Sequence, residues 1–129
     1  MDNFENDNFA IHLGFEIVES RQGHSLVRAK VAKENLNGMG IAHGGFLYSL
    51  ADVALAAAVN TDGRVAVNST TTINYLQPCP LGATILAEGN FIFDSPKNCL
   101  CQISIRDEKS KALYCVFDAR TVIKKSGIQ

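Results

Sequence analysis

The chain has 129 residues, 47% of them hydrophobic, and a net charge of −1. This length and composition fit one globular domain that buries about two thirds of its unfolded surface. The near-neutral charge excludes the broad basic surface that nucleic acids and anionic membranes attract. The acidic first seven residues lack the regions of a signal peptide, and Asp52 interrupts the longest apolar run short of a membrane span. We therefore expect a single domain over residues 1–129, located in the cytoplasm.

The first third of the chain predicts a short helix and a hairpin. Phe9–Leu13 has the pattern of a helical lead-in that stops at Gly14. Two predicted strands follow, over Phe15–Glu19 and Ser25–Ala32, with a turn between them at Arg21–His24. Apolar and polar residues alternate in the second strand, which is typical of a strand with one buried face.

An apolar run from Phe46 to Val59 predicts a helix that ends near Asn60. The run is rich in Ala and Leu, which favour helices, and it is apolar on nearly every side, as in a helix enclosed by its fold. Its single charged residue is Asp52. Burying a carboxylate in such a place costs free energy unless it is paired or protonated. Asp52 is therefore a candidate for a catalytic role. The alternative is a structural Asp at a polar rim, hydrogen-bonded to a neighbouring loop.

Extended segments complete the chain, over Ala66–Leu76, Thr84–Asp94, Cys99–Asp107 and Leu113–Ile123. Their alternating apolar residues predict strands with one buried face. In the second segment, Phe91 and Phe93 are expected to share the buried face with Ile85 and Ala87, and Gly89 is expected to form a bulge. Long antiparallel strands and one apolar helix indicate an α+β fold.

The cysteines and histidines lack the spacing of a metal site. None of the four cysteines forms a C-x-x-C pair, and the three histidines are scattered. We therefore predict neither structural zinc nor another bound metal. The cysteines in the last two strands fall on apolar alternations, which predicts small buried side chains and no disulfides.

The turn His43-Gly44-Gly45 lies where the apolar helix should begin. The first N–H groups of a helix have no intrahelical partner and carry the positive end of its dipole. Glycine lets a substrate oxygen approach these groups, so this end can polarise a carbonyl whose oxygen becomes negative. A plain tight turn is the alternative, but the acid downstream and the polar Asn37 upstream weaken it.

Gly44 and Asp52 are eight residues apart, a separation of about 12 Å along one helix. A reacting carbon must lie about 3 Å from both the oxyanion donor and the attacking group. One helix cannot supply both groups, whereas two antiparallel helices from two copies of the chain can. The motif therefore predicts a symmetric dimer with two equivalent sites at its interface.

The spacing Asn-x2-Gly-x2-His-Gly-Gly-x4-Leu-Ala-Asp over residues 37–52 resembles the hotdog-fold acyl-CoA thioesterases. The most similar branch holds the phenylacetate-degradation and 4-hydroxybenzoyl-CoA thioesterases with an acid on the central helix. Ile73–Pro78, followed by Gly82, also resembles this branch, and the resemblance spans residues 9–123. It implies an antiparallel sheet wrapped around one long helix, hydrolysis of acyl-CoA, and a homo-oligomer that is at least a dimer and in solution a tetramer. It implies no cofactor, because coenzyme A is part of the substrate.

The resemblance also assigns roles to single residues. Asp52 would be the nucleophile or general base, and the Gly44 N–H would polarise the thioester carbonyl. Asn37 would assist the carbonyl or the attacking water, and His43 would support the loop. The predicted substrate-binding residues are Gly45, Asn68, Thr70 and Lys97.

The chain departs from the family pattern at two places. Relatives often have a hydroxyl residue on the partner subunit's strand where this chain has Asn68, so the positioning of the attacking water is open. In the turn at residues 94–98, relatives commonly have a Gly followed by Lys or Arg. Lys97 could contact a coenzyme A phosphate or be a solvated lysine. The same two alternatives hold for Arg64, Lys124 and Lys125.

Two other classes of function fit parts of the pattern. Hotdog enoyl-CoA hydratases and dehydratases pair a His with an acid, as His43 and Asp52 could. The Gly-Gly directly after His43 and the position of the acid in the middle of the helix favour the thioesterases. A non-catalytic acyl-CoA-binding module would need an effector element, for which we expect no room beyond the core domain.

Overall fold

The computed structural model describes residues 4–127 of the chain. The ends of the predicted domain, residues 1–3 and 128–129, lie outside the described residues. The elements are α1 (Asn8–His12), β1 (Glu16–Arg21), β2 (His24–Lys30), α2 (Gly44–Val59), β3 (Val65–Tyr75), β4 (Thr84–Asp94), β5 (Asn98–Asp107) and β6 (Leu113–Lys125), with 3-10 turns at Phe4–Asn6 and Lys33–Asn35. Each helix and strand predicted from the sequence is present, with some ends shifted by one or two residues. Within the described residues, no helix has the length and apolar character to cross a membrane.

The strands form one six-stranded antiparallel sheet in the order β1-β2-β4-β5-β6-β3. Helix α2 packs against all six strands. The core lies between them, and its largest fully buried side chains include Leu50, Leu55, Ile103 and Phe117. The predicted α+β architecture, with a sheet around one long helix, is therefore confirmed.

Helix α2 is largely enclosed because its sequence offers apolar side chains in most directions. Ten of its sixteen residues are buried. Two serines on β1 and β2 fasten the sheet to it, since Ser20 donates to the Ala57 carbonyl at 2.7 Å and Ser25 to the Ala54 carbonyl at 2.6 Å. The helix ends at Asn60, whose side-chain oxygen accepts from the Ala66 N–H at 2.7 Å and leads the chain into β3.

The predicted bulge at Gly89 is wrong. Gly89 pairs in regular register with Ser25 and Ile103, and an added Cβ there would lie 2.7 Å from the Ser25 hydroxyl. The register shift falls between Phe91 and Phe93, and it turns Phe93 outward, where its side chain is 51% exposed. A bulge breaks the two-residue alternation, so the two phenylalanines do not share a face.

All four cysteines, Cys79, Cys99, Cys101 and Cys115, are free and buried, and burial was predicted for the three that lie in β5 and β6. Burial raises the pKa of Cys79 to about 11 and the pKa values of Cys101 and Cys115 to about 12. Because the thiolate is the reactive form, we expect the folded protein to resist a chromogenic disulfide reagent at mildly alkaline pH. After unfolding in guanidinium, the same reagent should titrate four thiols per chain. Rapid labelling of the folded protein would contradict this burial.

Candidate active site

The start of α2 has one backbone donor without a partner in the part of the chain that the structure describes. His43 is the N-cap, and its Nδ1 accepts a hydrogen bond from the Gly45 N–H at 2.8 Å. The Gly44 N–H has no hydrogen-bond partner among residues 4–127. This N–H lies at the positive end of a 16-residue helix, where a developing negative charge is stabilised. His43 thus holds the turn with the ring nitrogen nearest the backbone.

The loop before α2 orients the side chain of Asn37. Its Oδ1 accepts from the Met39 N–H at 2.9 Å and from the Ile41 N–H at 3.4 Å. The backbone closes the same turn, since the Asn37 N–H donates to the Ile41 carbonyl at 2.8 Å. Because the side-chain oxygen is engaged, the free group is the NH₂, which has no partner among the described residues. Asn37 can therefore donate to a carbonyl oxygen.

Two clefts flank the start of α2. The first, which we call the Gly44 cleft, has a volume of about 410 Å³. It is lined by Asn37, Met39, Ile41, Ala42, Gly44, Leu47, Tyr75, Leu76, Gln77, Pro78 and Cys79. The second, which we call the Gly45 cleft, has a volume of about 190 Å³. It is lined by Phe9, Leu13, Glu34, Asn35, Leu36, His43, Gly45, Phe46 and Ser49. A carbonyl at the helix start could extend one substituent into each cleft.

Asp52 lies two helical turns beyond Gly44 and lines neither cleft. In the single chain, the surroundings of Asp52 match an Asp at a polar rim better than a carboxylate enclosed by the fold. The residue is half-buried, and its Oδ1 accepts from the Asn68 Nδ2 at 2.8 Å. The physical reason is that β3 is an edge strand, and no further strand among the described residues lies beside it to cover the helix face. The second carboxylate oxygen of Asp52 has no hydrogen-bond partner among residues 4–127.

Three side-chain hydrogen bonds join one face of α2 to β3, and we call them the helix–strand ladder. The helical members are spaced by four residues, which places them on one face. The bonds run from Tyr75 Oη to the Gly44 carbonyl (2.9 Å), between Tyr48 Oη and Thr71 Oγ1 (2.6 Å), and from Asn68 Nδ2 to Asp52 Oδ1 (2.8 Å). The ladder therefore connects the unpaired N–H region, the acid and the exposed sheet edge.

A bulge in β3 aims Asn68 at the helix. The register with β6 shifts between Asn68 and Thr70, so Asn68 shares a face with Thr71 although the two are three residues apart. Bulges next to functional sites commonly re-aim a side chain in this way. Sequence reasoning missed the Asn68–Asp52 bond, because uninterrupted alternation would have put Ser69 there instead.

Residues 39–113 match the thioesterase superfamily, a range that includes Gly44 and Asp52. The chain belongs to the thioesterase superfamily. It is 36% identical over 110 residues to the acyl-coenzyme A thioesterase PaaI of Escherichia coli, covering 85% of this chain and 79% of that protein. The family and enzyme class predicted from the sequence are thereby confirmed.

Solved structures of the superfamily share the fold. The E. coli PaaI protein from the phenylacetic acid degradation operon superposes with a TM-score of 0.91 and 32% identity, covering 98% of this chain and 91% of that chain. A thioesterase protein of Streptococcus pneumoniae, solved with coenzyme A, has a TM-score of 0.82 and 26% identity, covering 88% and 91% of the two chains. The hotdog fold predicted from the sequence is confirmed.

In this thioesterase-superfamily chain, the other predicted contacts lie away from the helix start. The β3 bulge puts Thr70 on the outer face of the sheet, where it lines a depression with Ile92 and Leu100. Lys97 is exposed in the β4–β5 turn and lines neither cleft at the helix. Arg64 is only 5% exposed, and its guanidinium pairs with the Asp94 carboxylate at 2.8 Å. It is therefore not a solvated cation.

Proposed function

We propose that this member of the thioesterase superfamily hydrolyses acyl-CoA thioesters to a free acid and coenzyme A. Its relation to the acyl-coenzyme A thioesterase PaaI supports the reaction, and the coenzyme A complex of the S. pneumoniae relative supports the substrate class. The observation that carries the proposal is the Gly44 N–H at the start of a long helix, which has no partner among the described residues and belongs to a residue that lines a mostly apolar cleft of about 410 Å³.

In the proposed reaction, the thioester carbonyl oxygen accepts from the Gly44 N–H and from the Asn37 NH₂. Asp52 attacks the carbonyl carbon, or it takes a proton from the water that attacks. The tetrahedral oxyanion keeps both hydrogen bonds. The C–S bond then breaks, and its electron pair leaves on the thiolate of coenzyme A. If water attacked, this step gives the free acid. If Asp52 attacked, it gives an acyl-Asp52 anhydride, which water then hydrolyses to the free acid and the Asp52 carboxylate. A thiolate is a good leaving group because a thiol has a pKa of about 8.5, so no general acid is needed.

The proposed site is shared between two subunits, with Gly44 of one opposite Asp52 of the partner subunit. On one helix these residues are about 12 Å apart, too far to act on one carbon. The edge strand supports the pairing, since β3 carries no charged residue over eleven positions and exposes Val65 and Val67. Such an edge readily pairs with a second copy. The dimer is then the minimal unit, and we propose a dimer of dimers in solution.

The two clefts suggest how the substrate is held. The thioester lies at Gly44, with the acyl group in one cleft and the pantetheine arm in the other. The Gly45 N–H donates to His43 and is not available to the substrate. The proposed role of Gly45 is therefore to leave room for the substrate where a side chain would otherwise lie. Lys97 is proposed to contact a phosphate of coenzyme A. The four free thiols suit the reducing cytoplasm, where we place the protein.

A panel of acyl-CoA compounds tests the proposal through release of free thiol. We expect release from at least one acyl-CoA, with no background from the buried cysteines. Hydration of an enoyl-CoA without thiol release would instead assign the chain to the hydratases. Stoichiometric acyl-CoA binding without turnover would make it a binding module.

Activity is expected to be unchanged after exhaustive chelation and dialysis. Asp52, the Gly44 N–H and the Asn37 NH₂ supply the attack and the oxyanion stabilisation without a metal ion. Thiol release should be measured before and after chelation, with the circular dichroism spectrum as a control for folding. A loss of activity that one added divalent metal restores would contradict this prediction.

A further inference from the structure

Tyr75 lies at the end of β3 and contacts Gly44, although the proposed reaction gives it no role. Its hydroxyl donates to the Gly44 carbonyl at 2.9 Å. The ring lies against the glycine, so an added Cβ on Gly44 would be 3.2 Å from the Tyr75 hydroxyl oxygen. Yet the side chain is 51% exposed and lines the Gly44 cleft. An exposed aromatic ring held in this way calls for an explanation beyond packing.

The sheet fixes where the phenol lies. Tyr75 pairs with Cys115 of β6, and the next N–H, that of Leu76, donates to the Tyr114 carbonyl at 2.8 Å. The Gln77 Nε2 donates to the Leu113 carbonyl at 2.7 Å. The strand end is therefore anchored to β6 on both sides of the bond to the helix. The Tyr75 hydroxyl is a fixed point against which the start of α2 can be set.

The peptide between Gly44 and Gly45 is held at both ends. Its carbonyl accepts from Tyr75, and its N–H donates to the His43 Nδ1 at 2.8 Å. Glycine has the widest choice of backbone angles, so two adjacent glycines need such bonds to keep one conformation. The backbone angles of Gly44 determine where its own N–H lies relative to this peptide. The Tyr75 bond therefore restrains the N–H that is proposed to bind the oxyanion.

We propose that Tyr75 is a positioning residue that orients the Gly44 N–H, while its ring forms a wall of the cleft that holds the thioester. This inference rests on the proposed function. The hydroxyl and the ring then have separable effects, the first on turnover and the second on substrate binding. In addition, desolvation raises the pKa of Tyr75 above its ordinary value, which keeps the hydroxyl protonated as a donor.

Two substitutions separate these effects. Tyr75→Phe keeps the ring and removes the bond to Gly44, so kcat is expected to fall about tenfold with little change in KM. Tyr75→Leu removes the ring as well and is expected also to raise KM severalfold. Tyr114→Phe is the matched control: it removes a tyrosine bond of 3.1 Å, to Asp107, away from the helix, and kcat should stay at the wild-type value.

A pair of substrate analogues gives a readout that a purely structural role would not move. One is a ketone in which a difluoromethylene group replaces the thioester sulfur, so that its hydrate mimics the tetrahedral intermediate; the other is an S-alkyl-CoA thioether of equal length without a carbonyl. Tyr75→Phe should weaken binding of the ketone about tenfold and leave binding of the thioether unchanged. Circular dichroism and melting temperature confirm that each variant is folded.

The outcomes distinguish this inference from the proposed function. If the wild type releases thiol and Asp52→Asn does not, but Tyr75→Phe matches the wild type in kcat and ketone affinity, the role of Tyr75 is refuted and the hydrolase stands. Equal weakening of both analogues would also refute it, since the effect would then be general. If the wild type releases no thiol from any acyl-CoA, the proposed function fails and this inference fails with it.

Discussion

Asp52→Asn is expected to lower kcat by about 100-fold or more, because the residue acts in the transition state as nucleophile or general base. KM should change little. Asparagine retains the oxygen that accepts from Asn68 at 2.8 Å, so the helix–strand ladder can persist. The melting temperature is therefore expected to stay close to that of the wild type. Steady-state thiol release and thermal unfolding check the two parts of this prediction.

Asp118→Asn provides a matched control for the loss of one carboxylate. Asp118 also accepts from a side-chain amide, that of Gln102 at 3.0 Å, but it lies on the outer face of the sheet. Its substitution should leave kcat unchanged. Near-normal turnover of a folded Asp52→Asn protein would reduce Asp52 to a structural residue at the rim of the helix.

Mixing two inactive variants is expected to restore activity. One chain carries Asp52→Ala, and the other carries Asn37→Ala and Gly44→Ala. Equal co-refolding makes about half of the dimers mixed, and each mixed dimer has one intact site of two, so about a quarter of wild-type activity should return. A site contained within one chain would give none. Thiol release by the co-refolded sample, compared with each parent, measures the gain.

A second mixture controls for this experiment. Chains carrying Asp52→Ala and Asp52→Asn form dimers in which both sites lack the carboxylate, so this mixture should stay inactive. Differently tagged chains allow the mixed dimers to be isolated and counted. Isolated mixed dimers of the first pair that remain as inactive as their parents would contradict the shared site. A monodisperse monomer with full activity would contradict it as well.

The elements of the fold could be predicted because each has a strong local pattern. The Ala- and Leu-rich run over 46–59 indicates a helix, and the alternating residues of β5 and β6 indicate strands. The prediction for the second half of β4 was wrong because Phe91 and Phe93 fit the alternating pattern, whereas the bulge between them depends on pairing with β5. The local sequence pattern does not determine the register between the two strands.

The site could be predicted only in part for a similar reason. The positions of Gly44 and Asp52 on one helix follow from the motif and its spacing. The partners of these residues, Tyr75 and Asn68, depend on β3 lying next to the helix face at the edge of the sheet and on its bulge. The four-residue spacing of Gly44, Tyr48 and Asp52 indicates that the candidate site lies along one helix face. It could not identify the strand that faces it.

The most direct test is a crystal structure of the Asp52→Asn protein with an unhydrolysed acyl-CoA bound. We expect the carbonyl oxygen about 3 Å from the Gly44 N of one subunit, and the carbonyl carbon within about 4 Å of residue 52 of the partner subunit. The acyl group and the pantetheine arm should leave this point on opposite sides of the helix start. A carbonyl bound away from Gly44, or one that meets residues 44 and 52 of the same chain, would contradict the shared active site.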